Sequence, residues 1–452
     1  MKKRILVFEE AESGTRLLDT ASRLSTEVRA ASSHEELLQI GRHFNPDLVL
    51  LDTNHSHVGR PLLELPLLGT LHGLKAEFLL ISERKDPEAV IEAKQMGARD
   101  FIPKPFNLRE LIARLNASLQ RKKRIVCLGG GTGLFTVLMG LKKIPNILLT
   151  SIVSMSDDGG SSGKLRASFG ILPPGDIRRS LVGLSNAPEE MNQLIKYRFK
   201  KGEGLEDHSL GNLLLTALAE IKGNMCEAVR TLGDILNIQG IVLPATATLT
   251  DLVARFEDGT VVRGESKIDL AKGRDPNLRI VDFSHDPRPD CNLDAYASII
   301  FADLITIGPG DLFTSVIANI SVPGIRDALV RTRAEKAYFC NVMTKPGETS
   351  NYTASEHVKE IIQYLKGDFL DYVFLSNTQF SSSSISEYAL KGQVPVLADS
   401  EEDALKAITK AQVILADLAH EDELVRHDSE KIKVQTEKLL KDSVAIRSGE
   451  VR

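Results

Sequence analysis

No run of about eighteen apolar residues occurs anywhere in this chain, so no helix is expected to span a membrane. The start, Met1-Lys2-Lys3-Arg4, is basic, but the apolar residues 5–8 stop at Glu9 and Glu10, too soon for the core of a signal peptide. Positive charge is not in excess either. Lysine and arginine number 56 against 61 aspartates and glutamates, and the net charge of -5 gives no electrostatic reason for a nucleic-acid or membrane partner. The four cysteines, Cys127, Cys226, Cys291 and Cys340, are far apart and form no C-x-x-C pair. This argues against a zinc site and a disulfide framework and suits small core residues in a reducing compartment. Internal repeats and low-complexity segments are absent. A cytoplasmic globular protein is the expectation.

At 452 residues the chain is too long for one ordinary core, so two or three domains are expected. The stretch that organises the rest is Arg124-Ile125-Val126-Cys127-Leu128-Gly129-Gly130-Gly131-Thr132-Gly133. An apolar run that breaks into glycines, followed by helical apolar spacing over residues 134–141, reads as strand, tight turn and helix. The first turn of such a helix offers unpaired N–H groups and a partial positive charge to a phosphate. The run is neither G-x-G-x-x-G nor a P-loop, so a turn that binds nothing is the other reading of these residues alone.

Upstream, residues 4–8, 47–51, 78–81 and 100–102 read as strands, and residues 14–24, 87–96 and 108–119 as helices. This alternation predicts a parallel sheet covered on both faces, with functional groups at the carboxyl ends of its strands. Those ends carry Glu9 and Glu10, Asp52, Ser82, and Lys104 before Pro105. Acids for Mg²⁺, a further carboxylate, a hydroxyl and a lysine are the equipment for taking up and holding a phosphoryl group.

The segment resembles a response-regulator receiver domain. The resemblance implies a flavodoxin-like fold with Asp52 as phospho-acceptor, Mg²⁺ on Glu9, Glu10 and Asp52, switch residues Ser82 and Phe101, and a phosphoryl contact from Lys104. It also implies a histidine kinase as partner and pairing into a homodimer. Two features depart from the family: the acidic pair is Glu-Glu, and Thr53-Asn54-His55-Ser56-His57 lacks the usual Pro-Gly. A receiver that is not phosphorylated would serve as a docking or dimerisation module. His55 and His57 read as solvated loop residues, because no third metal ligand is evident. Arg121 to Arg124 read as cations at a helix end, with the domain boundary near Lys122.

Beyond the glycine turn, residues 147–153 read as a second strand that ends in Asp157-Asp158-Gly159-Gly160-Ser161-Ser162-Gly163. Adjacent carboxylates before small residues suit a divalent ion or a ribose, and equally a capped turn. In Pro173-Pro174-Gly175-Asp176-Ile177-Arg178 the prolines stiffen a turn, Asp176 is placed to cap the next helix, and Arg178 or Arg179 is placed to reach a phosphate. Ser209 reads as a helix cap that leaves His208 and Asn212 for a ligand. Asp258-Gly259 signals a hairpin between residues 252–256 and 261–263. G-x-S-x-G is absent, which rules out a hydrolase elbow. Two more strands, residues 302–307 and 337–343, run into Gly308-Pro309-Gly310-Asp311-Leu312-Phe313-Thr314-Ser315 and into Thr344-Lys345-Pro346-Gly347-Glu348-Thr349. Four strand exits of this composition at one sheet edge predict a wide crevice for a phosphorylated ligand.

These motifs, spread over residues 124–400, are similar to those of the 2-phospho-L-lactate transferase family and, through residues 173–178, of its bacterial gluconeogenesis-factor branch. The resemblance implies a Rossmann-like doubly wound domain and a UDP-sugar ligand such as UDP-N-acetylglucosamine. Its ligand-binding residues would be Gly129, Gly130, Gly131, Thr132, Gly133, Asp157, Asp158, Gly159, Gly160, Ser161, Ser162, Arg178, His208, Asn212, Gly308, Gly310, Thr314, Ser315 and Asn341. It also implies a link to cell shape and envelope synthesis on gluconeogenic carbon sources, without a secure catalytic activity. Asp311 and Phe313 stand where the family usually has Ser and Tyr, and Asp207 where it usually has Gly. Asp311 adds negative charge beside the pocket, and Phe313 lacks a phenol donor.

The expectation is an α/β chain with a receiver over residues 1–122, a Rossmann-like domain over 123–425 and a charged, solvated tail over 426–452. The leading function is a non-catalytic sensor that binds a nucleotide-sugar and reads a phosphorylation signal. The alternative is a Mg²⁺-dependent transferase of a phosphate-containing group, with Asp157 or Asp158 on the metal. In a third reading ligand binding is vestigial and the receiver mediates protein contacts.

Overall fold

The computed structural model describes residues 2–9, 15–24, 26–53, 62–63, 65–74, 76–270, 273–396, 402–422 and 424–448. Glu10 and the loop residues Asn54, His55, Ser56 and His57 lie outside the described residues. The first unit runs β1 (Arg4–Glu9), α1 (Thr15–Ser22), β2 (Glu27–Ala31), α2 (His34–Phe44), β3 (Leu48–Thr53), α3 (Leu65–Leu74), β4 (Glu77–Ser82), α4 (Pro87–Gln95), β5 (Asp100–Pro103) and α5 (Leu108–Leu119). Its strands form a parallel sheet in the order β2-β1-β3-β4-β5.

β1, β3 and β4 are near-continuous apolar runs because both sheet faces are covered. Leu6, Phe8, Val49, Leu51 and Leu80 point into one core, while Ile5, Val7, Leu48, Leu50 and Leu79 point into another. This is the period of two that a strand imposes. Strand order reverses between β1 and β3, and there Glu9 and Asp52 lie opposite each other in register.

The second unit begins with β6 (Lys123–Gly129), α6 (Gly131–Leu141), β7 (Ile147–Val153), α7 (Gly160–Phe169), α8 (Gly175–Leu184), α9 (Glu189–Lys196), α10 (Leu210–Lys222), α11 (Met225–Ile235) and β8 (Ile241–Pro244). It continues through β9 (Asp251–Phe256), β10 (Val261–Arg263), α12 (Glu265–Leu270), β11 (Ile280–Asp286), α13 (Leu293–Ile300), β12 (Leu304–Ile307), a π-helix (Leu312–Ile317), α14 (Ala318–Ile320) and α15 (Pro323–Arg331). It ends with β13 (Glu335–Phe339), α16 (Ala354–Leu365), β14 (Tyr372–Ser376), α17 (Ser382–Leu390), α18 (Glu402–Ile408), β15 (Gln412–Ala416), β16 (Ala419–Glu421), β17 (Val425–His427) and α19 (Ser429–Ser448).

Seven parallel strands stand in the order β15-β14-β13-β12-β6-β7-β8. The order reverses between β12 and β6, so the crevice at their carboxyl ends is the topological switch point of the sheet. The Asp258-Gly259 turn joins β9 to β10, and β11 completes a three-stranded antiparallel excursion.

The charged residues after 426 are not a solvated tail. Ile432, Thr436 and Leu439 are buried at helical spacing, and α19 packs on α6. Gly140 permits this approach, since a Cβ there would collide with the Ser429 carbonyl. The composition of α19 hides this stripe because its other faces are charged.

The two units share an interface along α4, β5 and α5, which meet α13 and β7. Arg109 of α5 donates to Gly233 O at 2.5 Å, Ile238 O at 2.5 Å and Asn237 Oδ1 at 3.0 Å. Arg230 of α11 reaches Glu110 at 3.3 Å and Asp294 at 2.7 Å. No described helix is long and apolar enough to cross a membrane.

Candidate functional site

At the switch point of the first sheet, Glu9, Asp52 and Lys104 come together. Lys104 Nζ lies 2.5 Å from Asp52 Oδ1. Glu9 Oε1 is buried without a hydrogen-bond partner among the described residues. Burial, and then the charge of Asp52, push the Glu9 carboxyl above its ordinary range, while Lys104 pulls it down. A buried carboxylate pair beside one lysine fits a divalent cation. Ser82 is fully buried and its hydroxyl accepts from the Arg84 N–H at 3.2 Å. Phe101 is enclosed in the core.

At the second switch point β6 exits into Gly130, which is extended at φ -162, and Gly131, which has φ +59. A Cβ on Gly130 would lie 2.7 Å from Asp176 Oδ2 and 3.1 Å from Ser315 Oγ, and one on Gly133 would collide with the Pro309 carbonyl. These glycines therefore let the exits of β6 and β12 and the start of α8 close on one another. The Gly131 N–H donates to Asp176 Oδ2 at 2.8 Å. The N–H groups of Thr132 and Gly133 remain at the open first turn of α6.

Asp176 thus caps α6 and not its own helix, and its other oxygen holds Arg179 at 2.9 Å. Arg179, beside Gly131, is the arginine at the cradle. The exit of β12 is tied to the same place. Asn319 Nδ2 donates to Gly129 O at 2.9 Å and Ser315 O at 2.7 Å, and Asn341 Nδ2 donates to Gly310 O at 2.8 Å. Gly308 takes φ +70 to make the turn. The π-helix that follows is a geometry enriched at functional sites.

Asp157 and Asp158 part company. Asp158 Oδ1 accepts from the Ser266 N–H at 2.7 Å and so fixes α12, whereas Asp157 accepts from the Gly159 N–H at 2.9 Å and stays in the crevice. Burial, and then Asp157, Asp176, Glu348 and Asp311, push the Glu265 carboxyl far above its ordinary range. Burial also raises Asp176, against the pull of Arg179, and Asp157 adds to the rise. Lys345 offsets part of this field, with Nζ 2.6 Å from Asp311 and 3.8 Å from Glu348 and in contact with Asp269. Burial opposes its charge, but Glu348, Asp311 and Asp269 hold it firmly protonated. Lys345 therefore fills the cation position among these three acids, the one group of carboxylates among the described residues whose oxygens converge closely enough for a metal ion, whereas both oxygens of Asp176 are taken by the Gly131 N–H and Arg179.

Several residues expected to meet a ligand bind one another. Asn212 Nδ2 donates to Ser161 Oγ at 3.1 Å, and Ser161 Oγ and His208 Nδ1 share a hydrogen bond of 3.0 Å. Arg178 Nε donates to Asn212 Oδ1 at 2.9 Å. Burial pushes the Arg178 guanidinium down to about 10 and lowers His208, with Lys164 and Arg198 adding to the fall. Ser162 is buried beside this network, and Gly160, at φ +45, starts α7 above it. Thr314 donates its hydroxyl to Glu348 Oε1 at 2.8 Å, which makes it a tie for the π-helix. Ser315 stays against Gly130 at the cradle.

A cavity of about 160 Å³ lies between the two glycine exits, bordered by Thr132, Gly133, Pro309, Gly310, Asp311 and Asn341 and by Arg426 and His427 on another side. Arg426 and His427 come from the β16–β17 hairpin, where the sequence reading placed only the end of a domain and a tail. Glu265, Lys345 and Glu348 were likewise not singled out as site residues.

Residues 125–419 match the family described as 2-phospho-L-lactate transferase CofD, and residues 5–116 match the response regulator receiver domain. The gluconeogenesis factor of Bacillus subtilis (strain 168) is 40% identical over 322 residues, 71% of this chain and 99% of that protein. The gluconeogenesis factor of Listeria monocytogenes is 36% identical over 313 residues, 69% of this chain and 94% of that protein. A crystal structure of a UPF0052 family member from Bacillus halodurans is 39% identical with a TM-score of 0.66, over 70% of this chain and 99% of that one. The chain belongs to the gluconeogenesis-factor branch of the 2-phospho-L-lactate transferase family, with a response-regulator receiver domain ahead of the family domain.

Proposed function

We propose that the second domain binds a UDP-sugar, with UDP-N-acetylglucosamine the first candidate, as a regulatory ligand, and that the receiver brings a phosphorylation signal to it. The observation that carries this reading is the convergence, at one switch point, of the open first turn of α6, the exit of β12 and Arg426. A diphosphate there takes the Thr132 and Gly133 N–H groups and the Arg426 guanidinium. Asn341 Oδ1, buried without a partner among the described residues, accepts from a ligand hydroxyl or N–H. The cavity of about 160 Å³ is smaller than a whole nucleotide-sugar needs, so the rest of the ligand extends along the crevice toward Asp157 and Asp176. A divalent ion that arrives with the diphosphate and meets Asp157 offsets the repulsion between the acids of the crevice and the diphosphate. The output in this reading is on carbon metabolism, as the relatives' name suggests, and on cell shape and envelope synthesis through the UDP-sugar.

In the receiver, Asp52 takes the phosphoryl group, Mg²⁺ sits on Glu9 and Asp52, and Lys104 holds the product. A cavity of about 760 Å³ borders Lys104 from the side of Asp19, Arg23 and Phe106, and a histidine kinase is the donor in this reading. The signal leaves along β5, because Asp100 at its start pairs with Arg124 at the start of β6. Two copies that pair must use a face other than α4, β5 and α5, which the second domain covers.

The acids Asp157, Asp176 and Glu265 at the crevice favour one other reading, a Mg²⁺-dependent transferase of a phosphate-containing group. Calorimetric titration with UDP-N-acetylglucosamine and Mg²⁺, with Arg426→Ala as control and donor breakdown followed in parallel, separates the two. Saturable binding lost in the variant, without breakdown, supports the sensor. Breakdown moves the assignment to the transferase, and absence of binding sinks the UDP-sugar.

A further inference from the structure

We propose that the concavity between β11, the start of α15 and the end of α16 is a second ligand site, built for a small phosphate-bearing anion and separate from the glycine cradle. Its volume, about 430 Å³, lies within the range of small-molecule sites. Three elements bring it a cation each: Arg288 follows β11, Arg326 lies in the first turns of α15, and Lys366 caps α16.

None of the three has an ion pair or a side-chain hydrogen bond among the described residues, although some other surface arginines do. Arg279 pairs with Glu356 at 2.6 Å, and Arg331 with Asp327 at 3.0 Å. Asp282 also lines the concavity and pairs with none of them. Lys366 alone is explained by the carbonyls at the end of α16, and Arg288 alone by solvation. Three elements that leave unpaired positive charge around one hollow, in a chain of net charge -5, are explained better by an anion that takes them together.

Two further features fit that anion. The start of α15 has Val322 at its cap, with no side-chain bond to the first-turn N–H groups, and Pro323 behind it. The start of α15 thus borders the hollow with its positive dipole end and no acidic side chain in its first turn. The floor is aromatic: Phe283 and Tyr364 line the cavity with ring centroids 6.5 Å apart, edge to face. The ligand class is thus a phosphate ester or diphosphate that carries a sugar or base ring, with the ring on Tyr364 and the phosphates on Arg288, Arg326 and Lys366.

The chain has no tryptophan, so Tyr364→Trp or, at an exposed neighbouring position, Gln363→Trp places its only indole at this hollow. Titration of each full-length reporter with sodium pyrophosphate at constant ionic strength should give a saturable fluorescence change. Adding Arg288→Ala or Arg326→Ala to the reporter should raise the midpoint by about tenfold or more, as loss of a charge-assisted hydrogen bond does. Pyrophosphate bound at the glycine cradle does not depend on these arginines. An unchanged midpoint in the reporter carrying both alanines would overturn the proposal, and so would the absence of a saturable change in both reporters.

Discussion

Asp100, the first residue of the last receiver strand, lies 3.2 Å from the guanidinium of Arg124, the second residue of the strand that ends in the glycine turn. Arg114 of α5 holds the same carboxylate at 3.0 Å, and all three side chains are buried. Arg124 also donates to Ser118 Oγ at 2.9 Å and to the Arg99 carbonyl. The junction is therefore a packed ionic joint in place of a free linker. One end of β5 is in this joint, and the other runs into Lys104 on Asp52.

Asp100→Asn removes the charge that two buried guanidinium groups share. The largest effect on Arg124 is burial, which disfavours its charge, and Asp100 is the chief group that opposes it. The variant should lose about 3 kcal/mol, the scale of a broken buried pair. Urea unfolding followed separately in each domain should show the two transitions moving apart. Coincident transitions at the wild-type midpoint would show that the joint does not couple the domains.

Two neighbouring glycines should behave differently. A Cβ on Gly129 finds Leu134 Cβ at 3.5 Å, an ordinary contact, whereas one on Gly133 runs into the Pro309 carbonyl. Gly129→Ala should fold and bind as the wild type does. Gly133→Ala must push the two exits apart, at a cost of about 1–3 kcal/mol for overpacking, and should lose ligand affinity. Melting temperatures and calorimetric titrations of the pair test this, and equal behaviour would mean that the exits are not in tight contact.

The receiver sheet was legible because its inner strands are apolar throughout and its chemistry sits where they end. β2 was not, since Glu27 and Arg29 break its apolar pattern at the sheet edge. In the second domain the glycines announced the cradle, because backbone crowding dictates residue type. Glu265 carried no such signal. It reaches the crevice only because Asp158 anchors the start of α12, a contact across 108 residues. Ser161, Arg178, His208 and Asn212 were conspicuous as polar residues near helix starts. Whether they face a ligand or one another is decided by helix packing, and they face one another.

The acid limb of stability should report two buried histidines. Burial lowers His357 and His427 to about 4, although each is bonded to a backbone carbonyl that partly offsets the effect. Both are neutral in the fold, and the unfolded chain binds more protons between its ordinary value near 6.5 and about 4. Their contribution is complete above the upper value and is lost as pH falls through the window, by up to about 3 kcal/mol each. Glu360, raised to about 7 by burial, works in the opposite direction, so the wild-type profile alone mixes the two. The stability gap between wild type and His357→Asn should be constant above the window and shrink within it. A gap that does not change with pH would mean that His357 is not held neutral by burial.

Lys345 offers the sharpest test of the acidic centre. Its ammonium stands among Asp269, Asp311 and Glu348, whose oxygens lie within 4.8 Å of one another. Lys345→Ala leaves three carboxylates, of which only Glu348 is fully buried, without their cation and should cost about 1–3 kcal/mol. The space and the oxygens that remain suit a divalent ion. Added Ca²⁺ or Mn²⁺ should therefore raise the melting temperature of the variant while barely moving that of the wild type at this position, because ion binding to the folded state alone stabilises it by mass action. The double variant Lys345→Ala, Asp311→Ser isolates the effect, since with one carboxylate fewer both the destabilisation and the response to the ion should shrink together. A response to the ion equal in wild type, single and double variants would place the ion elsewhere, and Asp157, Asp176 and Glu265 would then be the acids to substitute next.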